Sequence, residues 1–224
     1  TLAGRASPEW SWLLSAGIGR SSALENMGSN NVVGALRTTP NPEKDKSHSL
    51  LGRLVYTPSA VQKHVFTLEN VDKRADYDLL SARTATVTDS RAQTTMKRWR
   101  ASWQGEWREL NTAMADEIKL MASYQSSDSR EFVTETRTPP LAYRERDVTY
   151  DEDALQLHAQ AGKTLRWGRN ASGKFTYGMD YLRGKVVNTQ DGITPPAGES
   201  FPLKRFPDTT ETSTALFAQA ELHY

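Results

Sequence analysis

The chain has 224 residues, with 28 Lys and Arg against 27 Asp and Glu, a net charge of +1, and no cysteine. That balance gives no long-range pull toward nucleic acid or an anionic surface, and the lack of thiols excludes a disulfide framework and Cys-ligated metal sites. A mean hydropathy of -0.65, with no apolar run near the ~18 residues a membrane helix needs, excludes a spanning helix but not a β-barrel, whose alternating strands average out as polar.

No basic region followed by an apolar core opens the chain, so no signal peptide is expected. Residues 10–19 put Trp10, Trp12, Leu14, Ala16 and Ile18 on one side and Ser11, Leu13, Ser15, Gly17 and Gly19 on the other, which predicts a strand. Residues 20–47, rich in Asn, Ser, Gly and Pro, predict a long loop, with Val32 and Val33 the only hint of a short element. Residues 48–57 alternate again, with Leu50, Gly52, Leu54 and Tyr56 on the apolar side, and a tight turn is expected over 58–61. Residues 62–72 return as a strand through Phe66 and Leu68, and residues 73–96 predict a charged loop.

Residues 97–107 alternate most cleanly, with Trp99, Ala101, Trp103, Gly105 and Trp107 opposite Arg98, Arg100, Ser102, Gln104 and Glu106. Residues 117–125 present Ile118, Leu120, Ala122 and Tyr124. Trp99, Trp103, Trp107, Leu110, Met114, Ile118 and Met121 also fit an amphipathic helix. Gly105 would cost that helix about 1 kcal/mol, so two strands are expected. Residues 126–152 predict a long polar loop, and residues 154–162 a strand carrying Leu155, Leu157, Ala159 and Ala161. A turn at 170–173 leads to a strand over 174–183 with Phe175, Tyr177, Met179 and Tyr181 on its apolar side. A Pro- and Gly-rich loop over 185–212 precedes a last strand with Leu216, Ala218, Ala220, Leu222 and Tyr224.

Eight strands therefore alternate long connections with short ones, the pattern of a bacterial outer-membrane barrel with its long loops outside the cell. The fold expected is all-β, an antiparallel up-and-down meander forming part of a transmembrane β-barrel. All eight apolar faces are free of Asp, Glu, Lys and Arg, as lipid contact demands, since a charge at mid-membrane costs about 2–4 kcal/mol. A soluble β-rich binding module for sugar or protein predicts the same alternation, but not the asymmetry of the loops.

The opposite faces carry Arg53, Glu69, Arg98, Arg100, Glu106, Lys119, Asp180 and Glu221, expected to line a lumen holding water or a polar plug. Trp10, Trp12, Tyr56, Trp107, Tyr177 and Tyr181 would face lipid, those near strand ends forming aromatic girdles; as the alternative, they are the core of a soluble sandwich. No phosphate-binding Gly-rich loop, His-x-x-x-His pair or Ser nucleophile elbow is present, so no catalytic or metal residue is assigned. Asp147, Asp151, Glu152 and Asp153 cluster without the spacing or turn glycine of a calcium loop and read as a solvated loop face.

Residues 175–183, the Asp191-Gly192 step, the segment PPAGESFPLKRFPDT (195–209) and Ala215-Leu-Phe-Ala-Gln resemble TonB-dependent outer-membrane receptors, in particular the haem, haemoglobin and transferrin group. LGRLVYTP (51–58) and YQSSDSR (124–130) add to the resemblance, which covers most of the chain from about residue 50. It implies an outer-membrane location and a 22-stranded barrel filled by an N-terminal plug, importing an iron carrier with energy from the inner-membrane TonB complex. The chain carries no plug domain, no TonB box near its start, and neither a Phe-Arg-Ala-Pro nor an Asn-Pro-Asn-Leu box. The expectation is an internal piece of the barrel wall, about eight strands spanning residues 1–224.

The resemblance implies outer-membrane lipid, a plug, the TonB complex and haem or a haem-carrying protein as partners, with no intrinsic cofactor and haem as the transported ligand. Haem needs an axial ligand, usually His or Tyr. His158 points to the lumen at mid-strand and reads either as such a ligand or as a hydrogen-bonding partner of the plug. His48 lies at an outer strand end, as ligand or as interfacial residue. Tyr143 and Tyr150, in the long loop 126–152, are ligand candidates or simple packing groups, and His64 and His223 lie toward the periplasmic turns. Arg53, Arg98, Arg100, Glu106, Lys119, Asp180 and Glu221 would then dock the plug through ion pairs and hydrogen bonds.

Overall fold

A computed structural model describes residues 1–25, 28–140, 142–167 and 171–223. Nine antiparallel strands form one sheet in sequence order. They are β1 (Leu2–Arg5), β2 (Trp10–Ser22), β3 (Glu43–Ser59), β4 (Gln62–Asp78), β5 (Val87–Trp107), β6 (Glu117–Arg137), β7 (Tyr143–Trp167), β8 (Ala171–Ile193) and β9 (Thr209–His223). The expected eight become nine because β1, four residues with Gly4 and Arg5 among them, is too short to alternate. It pairs with β2 through Leu2 opposite Leu14.

The rival helix is overturned: Trp99, Trp103 and Trp107 lie on β5, Ile118 and Met121 on β6, and the two strands pair along their length. Three predicted long loops shrink more than expected. Residues 73–96, 126–152 and much of 185–212 continue the ladders of β4 to β8, leaving connections of 79–86, 138–142 and 194–208. Above the lipid-facing band both faces of a hairpin meet water. Hydrophobic alternation is then not required, and the sequence reads as loop while the backbone stays paired. The tight turn contracts likewise, with β3 running through a bulge to Ser59. Val32 and Val33 remain in irregular chain. Of the predicted turn 170–173, residues 171–173 belong to β8. Asn170 and the last lipid-facing residue, Tyr224, lie outside the described residues.

The register joins the separately predicted faces into one surface. Trp10, Tyr56, His64, Gly105, Leu120, Ala159, Met179 and Leu216 form a single cross-strand row from β2 to β9. Counted from this row, the last apolar residue on the same face is Ile18 on β2, eight residues further up, Leu50 on β3, Leu155 on β7, Tyr181 on β8 and Leu216 itself on β9. With Leu68, Trp99 and Tyr124 standing four, six and four residues above the row on β4, β5 and β6, the edge drops by about one residue per strand on average from β2 to β9. At ~3.3 Å per residue and ~4.8 Å between strands, that offset is a tilt of about 40°, within the 35–45° range of membrane barrels. At that tilt the stretch from Trp10 to Ile18 rises about 20 Å, approaching the ~25 Å apolar band of such barrels.

Rings mark both edges of the band. Below, Trp10 stacks on Tyr56 at 4.3 Å between centroids, and His64 sits against Trp107 at 5.3 Å and Trp103 at 6.1 Å. Above, Trp99 lies 5.2 Å from Tyr124. Rings with polar edges favour the boundary between hydrocarbon and water. Among the described residues the buried apolar side chains are only Val65, Ala75, Val87 and Ala115, whereas Ile18 is 76% and Leu216 80% exposed on the outward face. The sheet has no dry core of its own.

The connection between β5 and β6 is tied down from β7. The Asp116 carboxylate accepts hydrogen bonds from Lys163 Nζ at 2.6 Å and from the Thr164 amide at 2.8 Å. These two donors, the ammonium first, hold its pKa below the usual carboxylate value. Because the folded value is the lower one, the contribution is complete above about pH 4 and is lost as pH falls through the depressed value. The protection factor of the Thr164 amide is therefore expected to hold from neutral pH down to about pH 5 and to fall in more acid solution. In Asp116→Asn it should be low throughout; equal protection in the variant would rule the link out.

Candidate functional site

The face opposite the apolar band collects the chain's polar chemistry. Arg53, Glu69, Arg98, Arg100, Glu106, Lys119, Asp180 and Glu221 all fall on it, since each pairs across the ladder with another residue of that parity. Glu69 stands opposite Arg100, Glu106 opposite Lys119, Asp180 opposite His158 and Lys174 opposite Glu221. Glu106 accepts from Arg108 at 3.0 Å, and Glu117 pairs with Lys174 at 3.0 Å. Arg53, Arg98, Arg100 and Lys119 have no ion-pair partner among the described residues. They leave the inner wall with positive groups at mid-height that a carboxylate-bearing surface would complement.

His158 lies among these groups on β7. Its Nδ1 meets Asp180 Oδ1 at 2.6 Å, and the Phe217 ring stacks on the imidazole at 5.9 Å and 11°. With Nδ1 occupied, Nε2 is the nitrogen turned to other partners. Phe217 can take this position because Gly178, directly opposite it on β8, has no side chain in the way. A hollow of about 310 Å³ beside them is lined by Arg100, Gln125, Glu152, Gln156 and Glu211.

The larger hollow, about 650 Å³, lies on the same face near the upper end of the wall. Lys73 of β4, Met96 of β5, Glu131 of β6 and Val148 and Tyr150 of β7 line it. Segment 194–208 folds back over the adjoining wall. Gln190 and Leu203 exchange two backbone hydrogen bonds of 2.7 Å, and Arg205 Nε donates to Gln190 Oε1 at 2.9 Å. The Arg205 guanidinium grips Glu199 with contacts of 3.0 and 3.1 Å, and Phe206 lies 6.1 Å from the Tyr150 ring. The Pro-rich segment is thus at the expected end of the wall, but its C-terminal half bends inward.

The four candidate ligand residues separate into two pairs. His158 and Tyr150 face inward, whereas His48 shares its face with Leu50 and Ile18, and Tyr143 is in step with Leu155, so both stand on the outward side. Tyr143 and Tyr150 are on β7 and not in a loop, and Tyr143 donates to Glu145 Oε1 at 2.7 Å, which raises its pKa. Tyr150 and His158 are eight residues apart on one strand, about 26 Å, so they cannot bind the same atom. The acidic cluster divides as well. Asp147, Asp151 and Asp153 face outward and Glu152 inward, all on β7 instead of the expected loop. His64 belongs to the lower ring cluster, and His223 ends β9.

Lys73, Met96, Glu131 and Val148 were not among the sequence candidates because their segments lack an apolar face. Their signal is the parity of β7, in which Val148 and Tyr150 fall in step with His158 once the strand is extended upward from Ala154. For Arg205 and Phe206 the sequence carries no comparable signal.

A family model described as TonB dependent receptor-like, beta-barrel, matches residues 37–224. Comparison with curated proteins gives no match.

Proposed function

Since the chain belongs to the TonB-dependent receptor β-barrel family, whose members are outer-membrane transport receptors and not enzymes, we propose that it forms part of the wall of a receptor that takes up haem or a haem-carrying protein. The observation that carries the wall reading is the outward band, continuous over eight strands and offset by about one residue per strand. A soluble module would have to cover that apolar surface with a second layer, and the described residues form a single sheet.

The sheet runs from β1 to β9 with both outer edges unpaired among the described residues. Open edges are not tolerated in hydrocarbon, so further strands continue the wall on either side, as in a larger barrel of about 22 strands. The polar inner face then requires a filling. A plug segment rich in carboxylates, docking on Arg53, Arg98, Arg100 and Lys119, matches the cations that have no partner within the wall. Glu106, Asp180 with His158, and Glu221 supply the complementary sites, and the inner-membrane TonB complex would act through that plug.

The haem assignment rests on the upper hollow. Tyr150 offers a phenolate oxygen for ferric iron, Met96, Val148 and Phe206 offer apolar contact for the macrocycle, and Lys73 offers a cation for its carboxylates. Tyr150 is the better placed of the two inward candidates because it lies at the end where ligand arrives; His158, held by Asp180, serves the plug. In the membrane-embedded receptor, Tyr150→Phe is expected to weaken haem binding at least about 10-fold, the 1.4 kcal/mol equivalent of one lost coordinate or charged contact. The characteristic charge-transfer absorption of tyrosinate-bound iron should disappear with it, while the folded fraction stays the same. Unchanged haem affinity and spectrum would remove Tyr150 as the ligand.

A further inference from the structure

We propose that the lower half of the outward face carries a seat for one phospholipid of the periplasmic leaflet, with an amine-bearing, zwitterionic headgroup. This rests on the membrane-wall reading above. A shallow groove of about 460 Å³ runs along β7. Ala159 and Ala161 form its floor, with Ile118 and Leu120 of β6 beside them on one side and Tyr177 and Met179 of β8 on the other. Leu157, 40% exposed, closes it above. The groove exists because two methyl side chains separate larger neighbours in adjoining rows of the ladder.

Its level in the membrane follows from the register. The band is eight residues deep on β2, from Trp10 to Ile18. The same depth counted down from Leu155 on β7 ends at Lys163, and counted down from Tyr124 on β6 it ends at Asp116, just before the strand. Lys163 Nζ lies 2.6 Å from Asp116 Oδ1, so this ion pair stands where hydrocarbon gives way to headgroups. The Lys163 ammonium also donates to the Thr112 carbonyl at 2.7 Å, and the Tyr177 hydroxyl donates to the Met114 carbonyl at 2.8 Å. The β5–β6 connection is thereby held against the outward side and closes the groove below, with Met114 72% exposed.

On a face that already meets hydrocarbon, an acyl chain gains nothing by leaving water. A preferred seat must come from close packing and polar contacts. The groove supplies the packing, since its floor and both walls are within reach of one chain. Its lower end supplies the polar contacts. A lysine ammonium has three donors, and two of those on Lys163 are used, leaving one for a phosphate oxygen. Each Asp116 oxygen has accepted one hydrogen bond, from Lys163 or from the Thr164 amide, and keeps a lone pair for an ammonium N–H. The two charges cancel, so an anionic headgroup gains no net attraction, whereas a headgroup carrying both signs matches the pair. The outward hollow over Gly52 and Ala101, about 620 Å³, has no carboxylate in its lining and selects no headgroup.

The test uses the receptor as purified from its outer membrane, placed in bilayer discs of equal parts phosphatidylethanolamine, phosphatidylcholine and phosphatidylglycerol. Native mass spectrometry reads the lipid that stays bound. The parent protein is expected to retain phosphatidylethanolamine about 5-fold over either other lipid, the scale of one charged contact at a membrane surface. Ala159→Leu with Ala161→Leu, which fills the groove, should abolish that preference. Gly52→Leu with Ala101→Leu, which fills the other hollow, should leave it unchanged. If the groove-filling variant does not fold, Lys163→Gln tests the headgroup contact alone and should lower the preference at least about 3-fold. Equal retention of the three lipids by the parent, or an undiminished preference in the filled or the Lys163→Gln variant, would overturn the proposal. A parent that folds without detergent and takes up no lipid would instead count against the membrane-wall reading.

Discussion

Ala122→Arg is expected to destabilise the wall by about 2–4 kcal/mol, whereas Gln104→Arg, one row away on the other face, should cost less than about 1 kcal/mol. Ala122 is opposite Trp103 and Leu157 near the middle of the outward band, so an arginine there must bring its charge into hydrocarbon. Gln104 is exposed on the inner face beside Met121, where a charge keeps access to water. Reversible urea unfolding of the receptor in lipid bilayers measures both. The pair separates a membrane wall from a soluble sheet. If the outward face met water the two variants would cost the same, and if it were packed against a second sheet the inner variant would still be mild but detergent would not be needed for folding.

Gly178→Ala should cost at least about 1–3 kcal/mol as an overpacking defect, while Gly52→Ala is expected to be neutral or to stabilise by about 0.4–1 kcal/mol through the unfolded chain. A Cβ on Gly178 would collide with the Ala159 carbonyl oxygen and stand 2.6 Å from Phe217 Cζ and 3.0 Å from the Gln160 Cα. Of these only the ring can move, so the β7–β8 ladder must also give way. Gly52 faces outward with nothing within 4 Å of a new methyl group. The same unfolding measurement compares them. Moving Phe217 also strips the cover from His158, so the solvent protection of that imidazole should fall in a way it does not in Gly52→Ala. Equal stabilities for the two variants would show that the close approach at Gly178 is readily relaxed.

What the sequence made legible follows from where the solvent imposes a rule. Lipid demands an uninterrupted apolar face, and Trp99, Ala101, Trp103 and Gly105 could be assigned to it without coordinates. The competing helix arose because Trp99, Trp103 and Trp107 recur every four residues, which is both about one helical turn and two strand periods. Ala101 and Gly105 between them break the tie. Above the band no such rule holds. Lys73, Thr95 and Ser129 belong to paired strands, yet either face could be polar, so their segments looked like loops. The inward orientation of His158 was readable from its neighbours Leu155 and Leu157. That of Tyr150 needed the knowledge that β7 continues unbroken from Tyr143. The upper hollow was beyond reach, because it is assembled from β2 to β7 with segment 194–208 bent against its margin, and no local pattern encodes that meeting.

The length of β7 bears on what kind of cargo this wall can meet. A strand needs only about 9–11 residues to cross hydrocarbon, and β7 has 25. Its upper part, from Asp153 to Tyr143, rises about 25 Å above the oil if the tilt is kept, several times the roughly 5–8 Å of headgroups on one side of a bilayer. The upper ends of β6 and β7 thus form a stiff paired stalk that reaches beyond the crowded surface layer. A small diffusing molecule gains little from such height. For the haem-carrying protein proposed above as cargo it matters, because a globule excluded from the surface by its own size would then make first contact out in free solution.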